Sequence, residues 1–352
     1  MFIGIVGTEC AGKALVKRYL TAHGFADLSL PDAEDAHPST TPTTFPTPSA
    51  MLAHATRHWH AHFVTTSLTA HADLAQCIKR PFFLLLLVDA PVLLRWRRLR
   101  AKRPALAEGQ EALDAFLARN DQLVYGPPGA TGCDFPRVPQ PLADRTPCPS
   151  PGAASLHTLA RSLTHVSVLN GFATIPELHA HLDALDLLDP ERLRPGWDSY
   201  FMVTHLASLR SNCMKRRVGA LLVRSHRVIS TGYNGTPRGL VNCAEGGCAR
   251  CNGSGARSGE MLDECLCLHA EENALLEAGR ERVSGGGGGG GGGAAEGAVL
   301  YCNTCPCLRC SVKIVQTGVR EVVYNLAYSM DEASAKVFKE AGVALRQHCP
   351  PP

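Results

Sequence analysis

Two short stretches of the chain combine side chains that could hold a metal ion and move a proton. The first contains His269 and Glu271, which are separated by one alanine, and the second contains Cys307 and Cys310, directly after Pro306. A catalytic zinc ion takes three protein ligands and leaves its fourth position to water. His269, Cys307 and Cys310 fit that set, and the carboxylate of Glu271 remains available for general acid–base chemistry. The pattern therefore predicts a hydrolytic zinc site.

A closed zinc site is the alternative interpretation of the same residues. Cys302 and Cys305 lie close to the second stretch, and either thiolate could complete four protein ligands, which is the usual structural site. A carboxylate beside the metal and a proline at the entrance of a helix have no role in such a site. We therefore favour the catalytic interpretation.

The other cysteines suggest a second metal. The chain has 15 cysteines, and ten of them lie between Cys213 and Cys310. Their C-x-x-C spacings, behind an N-terminus that lacks the pattern of a secretion signal, favour metal over disulfides and a reducing compartment, cytoplasmic or nuclear. Some of them could instead be small buried apolar residues. From six candidates, we predict a structural zinc ion with these four ligands: Cys213, Cys243, Cys248 and Cys265.

The elements expected to position the first site form an α/β domain over residues 194–349. A helix is predicted to begin near Trp197, with Asp198 as its N-cap, and strands at 217–224 and 227–234 form a hairpin. Helices and strands then alternate to the C-terminus, which predicts a mainly parallel sheet flanked by helices. His269 and Cys307 start two of these helices, where the helix dipole favours the thiolate that zinc requires.

Residues 1–190 predict a separate α/β domain. Gly7, Gly12 and Lys13 follow a strand and match a phosphate-binding loop, but Ala14 replaces the hydroxyl that would bind magnesium. This part resembles the P-loop nucleotide-kinase fold of dephospho-coenzyme-A kinase and its relatives. The resemblance implies either a degenerate, regulatory or structural domain or a working kinase, and the missing hydroxyl favours the former.

Several segments interrupt these domains. Residues 31–50 and 126–154, rich in proline with threonine, serine or glycine, are predicted to be disordered insertions, and residues from about 154 to 190 show a helical pattern. A run of nine glycines at 285–293 predicts a flexible insertion in the second domain. The net charge of +3 demands neither nucleic acid nor a membrane as a partner, and no apolar run approaches a membrane span of about 18 residues.

Four segments of the second domain together resemble the deoxycytidylate (dCMP) deaminase family, and the long N-terminal extension resembles its fungal form. The segments are R-S-N-C-M-K-R-R-V-G-A, I-S-T-G-Y-N-G-T-P-R-G, L-H-A-E-E-N-A and C-P-C-L-R-C-S-V-K-I-V-Q-T-G. The H-x-E and P-C-x-x-C signature is shared by the relatives of cytidine deaminase as a whole. The loop that contains Asn234 narrows the resemblance to the deoxycytidylate branch.

This resemblance implies a cytidine-deaminase-like α/β/α sandwich that converts dCMP to dUMP, the precursor of thymidylate. A hydroxide held by the zinc would attack carbon 4 of cytosine, ammonia would leave, and Glu271 would carry the protons. The resemblance also implies substrate contacts by Asn234 and Tyr328, activation by dCTP, inhibition by dTTP, a homo-oligomer that is commonly a hexamer, and a second zinc near Cys213, Cys243 and Cys265. A tRNA or free-nucleoside deaminase, and a non-catalytic regulatory protein that binds zinc and nucleotide, remain the alternatives.

Overall fold

The computed structural model divides the chain into two compact units, Met1–Arg194 and Pro195–Pro352. It describes residues 1–31, 42–104, 110–126, 155–157, 165–253, 260–261, 264–279, 297–327 and 331–349. The glycine run at 285–293 and Tyr328 lie outside the described residues. Over these ranges, none of the helices combines the length and the apolar character that crossing a bilayer would require.

The first unit is built on a parallel sheet. Its strands lie in the order β3-β2-β4-β1-β5-β6, and every described pairing between them is parallel. The strand bounds are β1 Phe2–Gly7, β2 Ala26–Ser29, β3 Thr43–Thr44, β4 Phe63–Thr65, β5 Phe83–Asp89 and β6 Val166–Leu169. Strands β1 and β5 are apolar on both faces and lie in the centre, as expected for strands that helices cover on both sides.

Helices connect these strands. Two of them carry side-chain caps: Thr47 accepts a hydrogen bond from the backbone of Ala50, and Thr174 forms a reciprocal capping box with Glu177. The bounds are α1 Lys13–Ala22, α2 Pro48–Arg57, α3 His71–Ile78, α4 Val92–Lys102, α5 Gln110–Tyr125 and α6 Ile175–Leu185.

The glycine-rich turn between β1 and α1 forms hydrogen bonds with its own lysine, Lys13. Gly12 has a φ of 106°, in the left-handed region, and α1 begins at the next residue. The ammonium of Lys13 donates to the carbonyl oxygens of Gly7 (2.8 Å) and Thr8 (3.2 Å), and the Thr8 hydroxyl donates to Asp89 at the end of β5 (2.6 Å). The ammonium of Lys13 is therefore bound by backbone carbonyl groups of its own turn.

The structure differs from the sequence expectation at two places in this unit. Residues 42–50, placed in a disordered insertion, contain β3 and the start of α2, because Thr43 and Thr44 pair with β2 and Thr47 caps the helix. Residues 166–169, placed in a helical stretch, form the edge strand β6, whose alternating burial matches a half-covered strand. Residues 32–41 and 127–154 lie outside the described residues.

The second unit is built on a mixed sheet of order β11-β10-β9-β7-β8. Strands β9, β10 and β11 run parallel, and β7 is antiparallel to β8 and β9. The predicted hairpin is confirmed, since Ser225 and His226 form a two-residue turn with positive φ at both positions. The bounds are β7 Gly219–Arg224, β8 Arg227–Tyr233, β9 Val299–Thr304, β10 Glu321–Leu326 and β11 Ala344–Gln347.

Helices cover this sheet, and one packs against it at very short range. A Cβ on Gly232 of β8 would lie 2.0 Å from the carbonyl oxygen of Ala270, so only glycine allows this approach. The bounds are α7 Trp197–Phe201, α8 Thr204–Ser208, α9 Ala249–Asn252, α10 Ala270–Ala278, α11 Leu308–Thr317 and α12 Asp331–Glu340. Helix α10 therefore has a fixed depth on the sheet.

The predicted N-cap of the first helix is wrong. Gly196 occupies the cap position of α7, and Asp198 lies inside the first turn. The carboxylate of Asp198 instead accepts hydrogen bonds from Arg346 on β11 (2.6 Å) and from the hydroxyl of Tyr301 on β9 (2.9 Å). A long-range ion pair has taken the place of the local cap.

Candidate metal centre

Three of the predicted ligands meet where α10 and α11 begin. His269 is the N-cap of α10 and Cys307 is the N-cap of α11. The Nδ1 atom of His269 lies 3.4 Å from Sγ of Cys307 and 3.4 Å from Sγ of Cys310. A tetrahedral zinc with ordinary Zn–N and Zn–S bonds would separate these atoms by about 3.6 Å. The donor set therefore fits a zinc ion to within a few tenths of an ångström.

The described residues offer this metal three protein ligands and no fourth. The group of neighbouring donor atoms contains His269, Cys307 and Cys310 alone among the described His, Cys, Asp and Glu side chains. Cys302 lies on β9 with its side chain in the apolar core, and the backbone N–H of Cys305 donates to the carbonyl of Leu326. The two thiols considered for a closed site are thus not in the ligand group, which leaves the open position that a catalytic zinc needs.

Glu271 lies in the first turn of α10 and is only 4% exposed. Burial raises the pKa of its carboxyl group, against the attraction of His269 and a hydrogen bond with Cys310. A carboxyl group whose pKa is raised is a stronger base than an ordinary carboxylate, which suits proton transfer. Its position two residues after a ligand, but outside the ligand group, suits a proton carrier.

The two thiols differ in their readiness to bind a metal. A hydrogen bond from Cys310 lowers the pKa of Cys307 to about 3, and contact with His269 acts in the same direction. The same hydrogen bond, together with burial, raises the pKa of Cys310. The bond to Cys307 raises the pKa of His269. Cys307 is therefore the more acidic of the two thiols, and Cys310 would give up its proton on binding a metal.

Hydrogen bonds fix the two segments that carry the ligands. The buried hydroxyl of Ser334 on α12 donates to the carbonyl oxygen of Pro306 (2.8 Å), which holds the turn before α11. Asn273 donates from its side chain to Tyr233 at the end of β8 (3.0 Å). Leu268 and Gly235 exchange backbone hydrogen bonds of 2.9 and 3.1 Å. The chain is thus fixed both before and after His269, which sets the position of its imidazole.

Asn234, predicted to contact substrate, is buried in a hydrogen-bond network of its own. Its Oδ1 accepts from the Ser211 hydroxyl (2.7 Å) and the Val218 backbone (2.8 Å), and its Nδ2 donates to the Arg216 carbonyl (2.7 Å). The structure therefore places this amide as a brace between β8 and the chain before β7. The sequence analysis missed Ser211, although it precedes Cys213 in a segment that carries the family resemblance. Tyr328 lies outside the described residues.

A cleft opens beside the metal ligands. It is lined by the segment that leads to His269 and by the outer face of α11, including Arg309 and Lys313. Lys313 forms an ion pair with Glu272, the neighbour of Glu271. The sequence analysis did not select these cations, although Arg309 lies inside the C-x-x-C stretch.

The four cysteines predicted to hold a second zinc do not form one ligand set. Cys213 and Cys243 lie at one end of a larger group of thiols, and Cys248 and Cys265 lie at the other. Each pair completes a set of four with Cys251 and Cys267, which the sequence analysis left out of its choice. The cysteines come from loops, a short turn and the four-residue helix α9, which are too short for their order along the chain to indicate which sulfurs meet.

Known proteins are similar to this chain both around the metal centre and over nearly its whole length. The cytidine and deoxycytidylate deaminase zinc-binding region matches residues 195–326. A deoxycytidylate deaminase of Schizosaccharomyces pombe is 43% identical over 99% of this chain and 98% of its own length. One of Saccharomyces cerevisiae is 40% identical over 99% of this chain and 96% of its own.

Among solved structures, the dCMP deaminase of cyanophage S-TIM5 in complex with dCMP and dUMP is 29% identical. It covers 43% of this chain and 95% of its own, with a TM-score of 0.31. The fungal relatives, in contrast, align with both units of the chain described above. By the identity and the coverage of these two relatives, the chain belongs to the deoxycytidylate deaminase family.

Proposed function

We propose that this protein deaminates dCMP hydrolytically to dUMP at the site formed by His269, Cys307, Cys310 and Glu271. The observation that carries the proposal is the open set of three ligands beside a buried carboxyl that is not a ligand. Membership of the deoxycytidylate deaminase family supports the choice of substrate, because two relatives that match nearly the whole chain bear that name.

Each side chain has a distinct part in this proposal. His269, Cys307 and Cys310 would hold zinc, which lowers the pKa of a coordinated water molecule towards neutrality. Glu271 would take one proton from that water and deliver it to the ring nitrogen next to the reacting carbon. It would then take the second proton from the hydroxyl group gained by that carbon and pass it to the amine, which leaves as ammonia. Its burial favours this part, because desolvation raises the pKa of the carboxyl group and makes its ionised form a stronger base.

Substrate comparison tests the proposal. Ammonia release would be measured with dCMP, deoxycytidine and a cytidine- or adenosine-containing tRNA, using the full chain loaded with zinc. We expect turnover of dCMP and little with the other two substrates. Activity confined to the nucleoside or to tRNA would overturn the assignment in favour of another branch of the superfamily, and the absence of any turnover would favour a regulatory protein.

Regulation and assembly extend the same proposal. Family membership supports activation by dCTP, inhibition by dTTP and a homo-oligomer, with a hexamer as the expected form. Initial rates at subsaturating dCMP should rise with dCTP and fall with dTTP, and light scattering would give the mass of the assembly. If neither nucleotide changes the rate, the proposed regulation is wrong, whereas the proposed deaminase activity is unaffected. The reactive thiols of the site support a reducing compartment, cytoplasmic or nuclear.

For the first unit, we propose a degenerate P-loop nucleotide-kinase-like domain with a structural or regulatory part. The turn from Gly7 to Lys13, which follows a central parallel strand, supports the fold, and Ala14 argues against magnesium-dependent phosphoryl transfer. Titration calorimetry with ATP and a phosphate-release assay would test it. Magnesium-dependent ATP consumption that disappears in Lys13→Ala would indicate a working kinase instead.

A further inference from the structure

Six cysteines of the second unit gather in a single cluster apart from the proposed catalytic ligands. They arrive from separate segments, before β7, in a short turn, in α9 and just before α10, and none of them is part of a disulfide. Most of them are buried against one another. The six-cysteine cluster consists of Cys213, Cys243, Cys248, Cys251, Cys265 and Cys267.

The sulfur atoms form two sets of four that overlap. One set contains Cys213 and Cys243, the other contains Cys248 and Cys265, and both contain Cys251 and Cys267. Within each set all sulfurs lie within 4.8 Å of one another. The cluster is therefore elongated, with a pair of sulfurs at each end and two shared sulfurs in the middle.

The separations match zinc–thiolate geometry. Sγ of Cys251 lies 3.9 Å from that of Cys213, 3.7 Å from that of Cys265 and 3.9 Å from that of Cys267. At the far end, Cys248 and Cys265 are 3.9 Å apart. A tetrahedron with Zn–S bonds of about 2.3 Å has edges of about 3.8 Å. Edges of this length occur in both sets, including the edge that they share.

Hydrogen-bond donors and one buried cation lie around the cluster. Backbone N–H groups donate to three of the end sulfurs: from Lys215 and Arg216 to Cys213, from Met214 to Cys243, and from Leu266 and Cys251 to Cys248. The buried guanidinium of Arg250 lies 4.0 Å from Sγ of Cys251. Negative sulfur accepts such bonds far better than neutral sulfur does, and a buried cation beside the cluster offsets its charge.

We propose that the six-cysteine cluster binds two zinc ions, with Cys251 and Cys267 bridging them. Each ion then has four thiolates, two terminal and two shared, which closes both coordination spheres as in a structural site. Each thiol loses its proton to solvent as it binds. Six thiolates and two Zn²⁺ ions leave a formal charge of −2, part of which Arg250 offsets. A single ion would satisfy only one of the two sets and would leave two thiols of the cluster, one of them buried, without a metal.

Counting metals tests this site without a measurement of deaminase activity. The full chain, refolded or purified with zinc under reducing conditions and then desalted, would be analysed by native mass spectrometry and elemental analysis. We expect three zinc ions per chain, two in the cluster and one at His269. X-ray absorption should show a zinc–zinc distance of roughly 3 Å, because two tetrahedra with 2.3 Å bonds share an edge. Two zinc ions per chain without a zinc–zinc distance would overturn the proposal.

Matched cysteine variants separate bridging from terminal ligands. Cys251→Ala should lose two zinc ions, because a bridging sulfur serves both, whereas Cys213→Ala should lose at most one. Cys349→Ala, an exposed cysteine outside the cluster, should keep all three. Loss of a single ion in both Cys251→Ala and Cys213→Ala would refute the bridge. If a variant fails to fold, the zinc count and the zinc–zinc distance of the unsubstituted chain still decide.

Discussion

Cys267 and His269 are two residues apart, yet their side chains belong to different ligand sets. The sulfur of Cys267 lies in the six-cysteine cluster, and Nδ1 of His269 faces Cys307 and Cys310. Leu268, between them, is held to Gly235 by two backbone hydrogen bonds. The cluster is therefore the anchor of the segment that delivers the imidazole.

Cutting that anchor should impair the site that follows it. We expect Cys267→Ala to lower deaminase turnover by at least about tenfold and to speed the loss of the metal held by His269, because groups that orient a ligand affect metal affinity to this degree. Stopped-flow transfer of zinc to a chelator would measure the second effect. Cys213→Ala, which cuts the cluster at its far end, should have a smaller effect on turnover. Equal effects of both variants on turnover would show that Cys267 has no special part in positioning His269.

Glu271→Gln should lower turnover of dCMP by about 10³-fold, within the range typical of a lost general acid–base group. The zinc content should not change, because the carboxylate is not a ligand. Stability should not fall either, since an amide of the same shape avoids the cost of a buried charge. The measurements are steady-state rates, zinc analysis and thermal unfolding.

A neighbouring acid provides the control for that prediction. Glu272 follows on the same helix, is partly exposed and pairs with Lys313. Glu272→Gln should therefore change turnover by less than about threefold, in keeping with the small free energy of such ion pairs. A Glu271→Gln enzyme as active as the Glu272→Gln enzyme would exclude the proton-transfer role.

Asn234→Ala should lower the free energy of unfolding of the second unit by about 2 kcal/mol, because it removes the side-chain partner of the Val218 backbone N–H and of the Arg216 carbonyl. The Ser211 hydroxyl keeps the backbone carbonyl of residue 234 as an acceptor (2.9 Å). Urea denaturation would measure it. Asn325 makes one side-chain bond, to the carbonyl of His348 (3.1 Å), and Asn325→Ala should cost only about 1 kcal/mol. Similar losses for both variants would contradict the bracing role.

The metal centre could be predicted from the sequence because each pair of functional groups is local. His269 and Glu271 share one helix start, and Cys307 and Cys310 share another, so spacing alone indicates their geometry. The six-cysteine cluster could not be resolved in the same way. Its sulfurs come from separate irregular or very short segments, and nothing along the chain distinguishes the two central ones, Cys251 and Cys267, from the others.

The fold shows the same division between local and long-range signals. The hairpin of β7 and β8 follows from alternation and a short turn, both readable along the chain. Strands β3 and β6 were missed because they are short edge strands whose pairing partners stabilise them. Aspartate is a residue type that often caps helices, but the carboxylate of Asp198 binds Arg346, which lies 148 residues further along the chain. Contacts between residues so far apart in the sequence produce no periodic pattern along the chain.

Arg346→Met should lower the free energy of unfolding at pH 7 by about 1 kcal/mol, the size expected for partly exposed ion pairs. The hydrogen bond from Arg346 holds the pKa of Asp198 below its usual value. A depressed folded-state pKa stabilises the protein above the unfolded-state pKa of about 3.9, and this contribution disappears as the pH falls through the folded-state value. The difference between variant and parent should therefore be constant from pH 5 to 7 and shrink below about pH 4.

Urea titrations at several pH values would measure that difference. Arg227→Met, at an exposed position of β8 for which no ion pair is described, should change stability by less than about 0.5 kcal/mol at every pH. A deficit in Arg346→Met that persists unchanged at pH 3 would attribute the effect to lost packing of the arginine side chain instead of its charge.

Gly232→Ala should damage the metal centre through the backbone. The added Cβ would lie 2.0 Å from the carbonyl oxygen of Ala270 and 2.5 Å from the backbone nitrogen of Ala274. Backbone cannot move aside as a flexible side chain can, so α10 must shift away from β8 and carry His269 with it. We expect a loss of about 3 kcal/mol in the free energy of unfolding and weaker zinc binding at the site. Gly171→Ala, where nothing lies within 4 Å of the added atom, should leave both quantities unchanged. A Gly232→Ala protein with normal zinc affinity would show that the depth of α10 on the sheet does not position the imidazole.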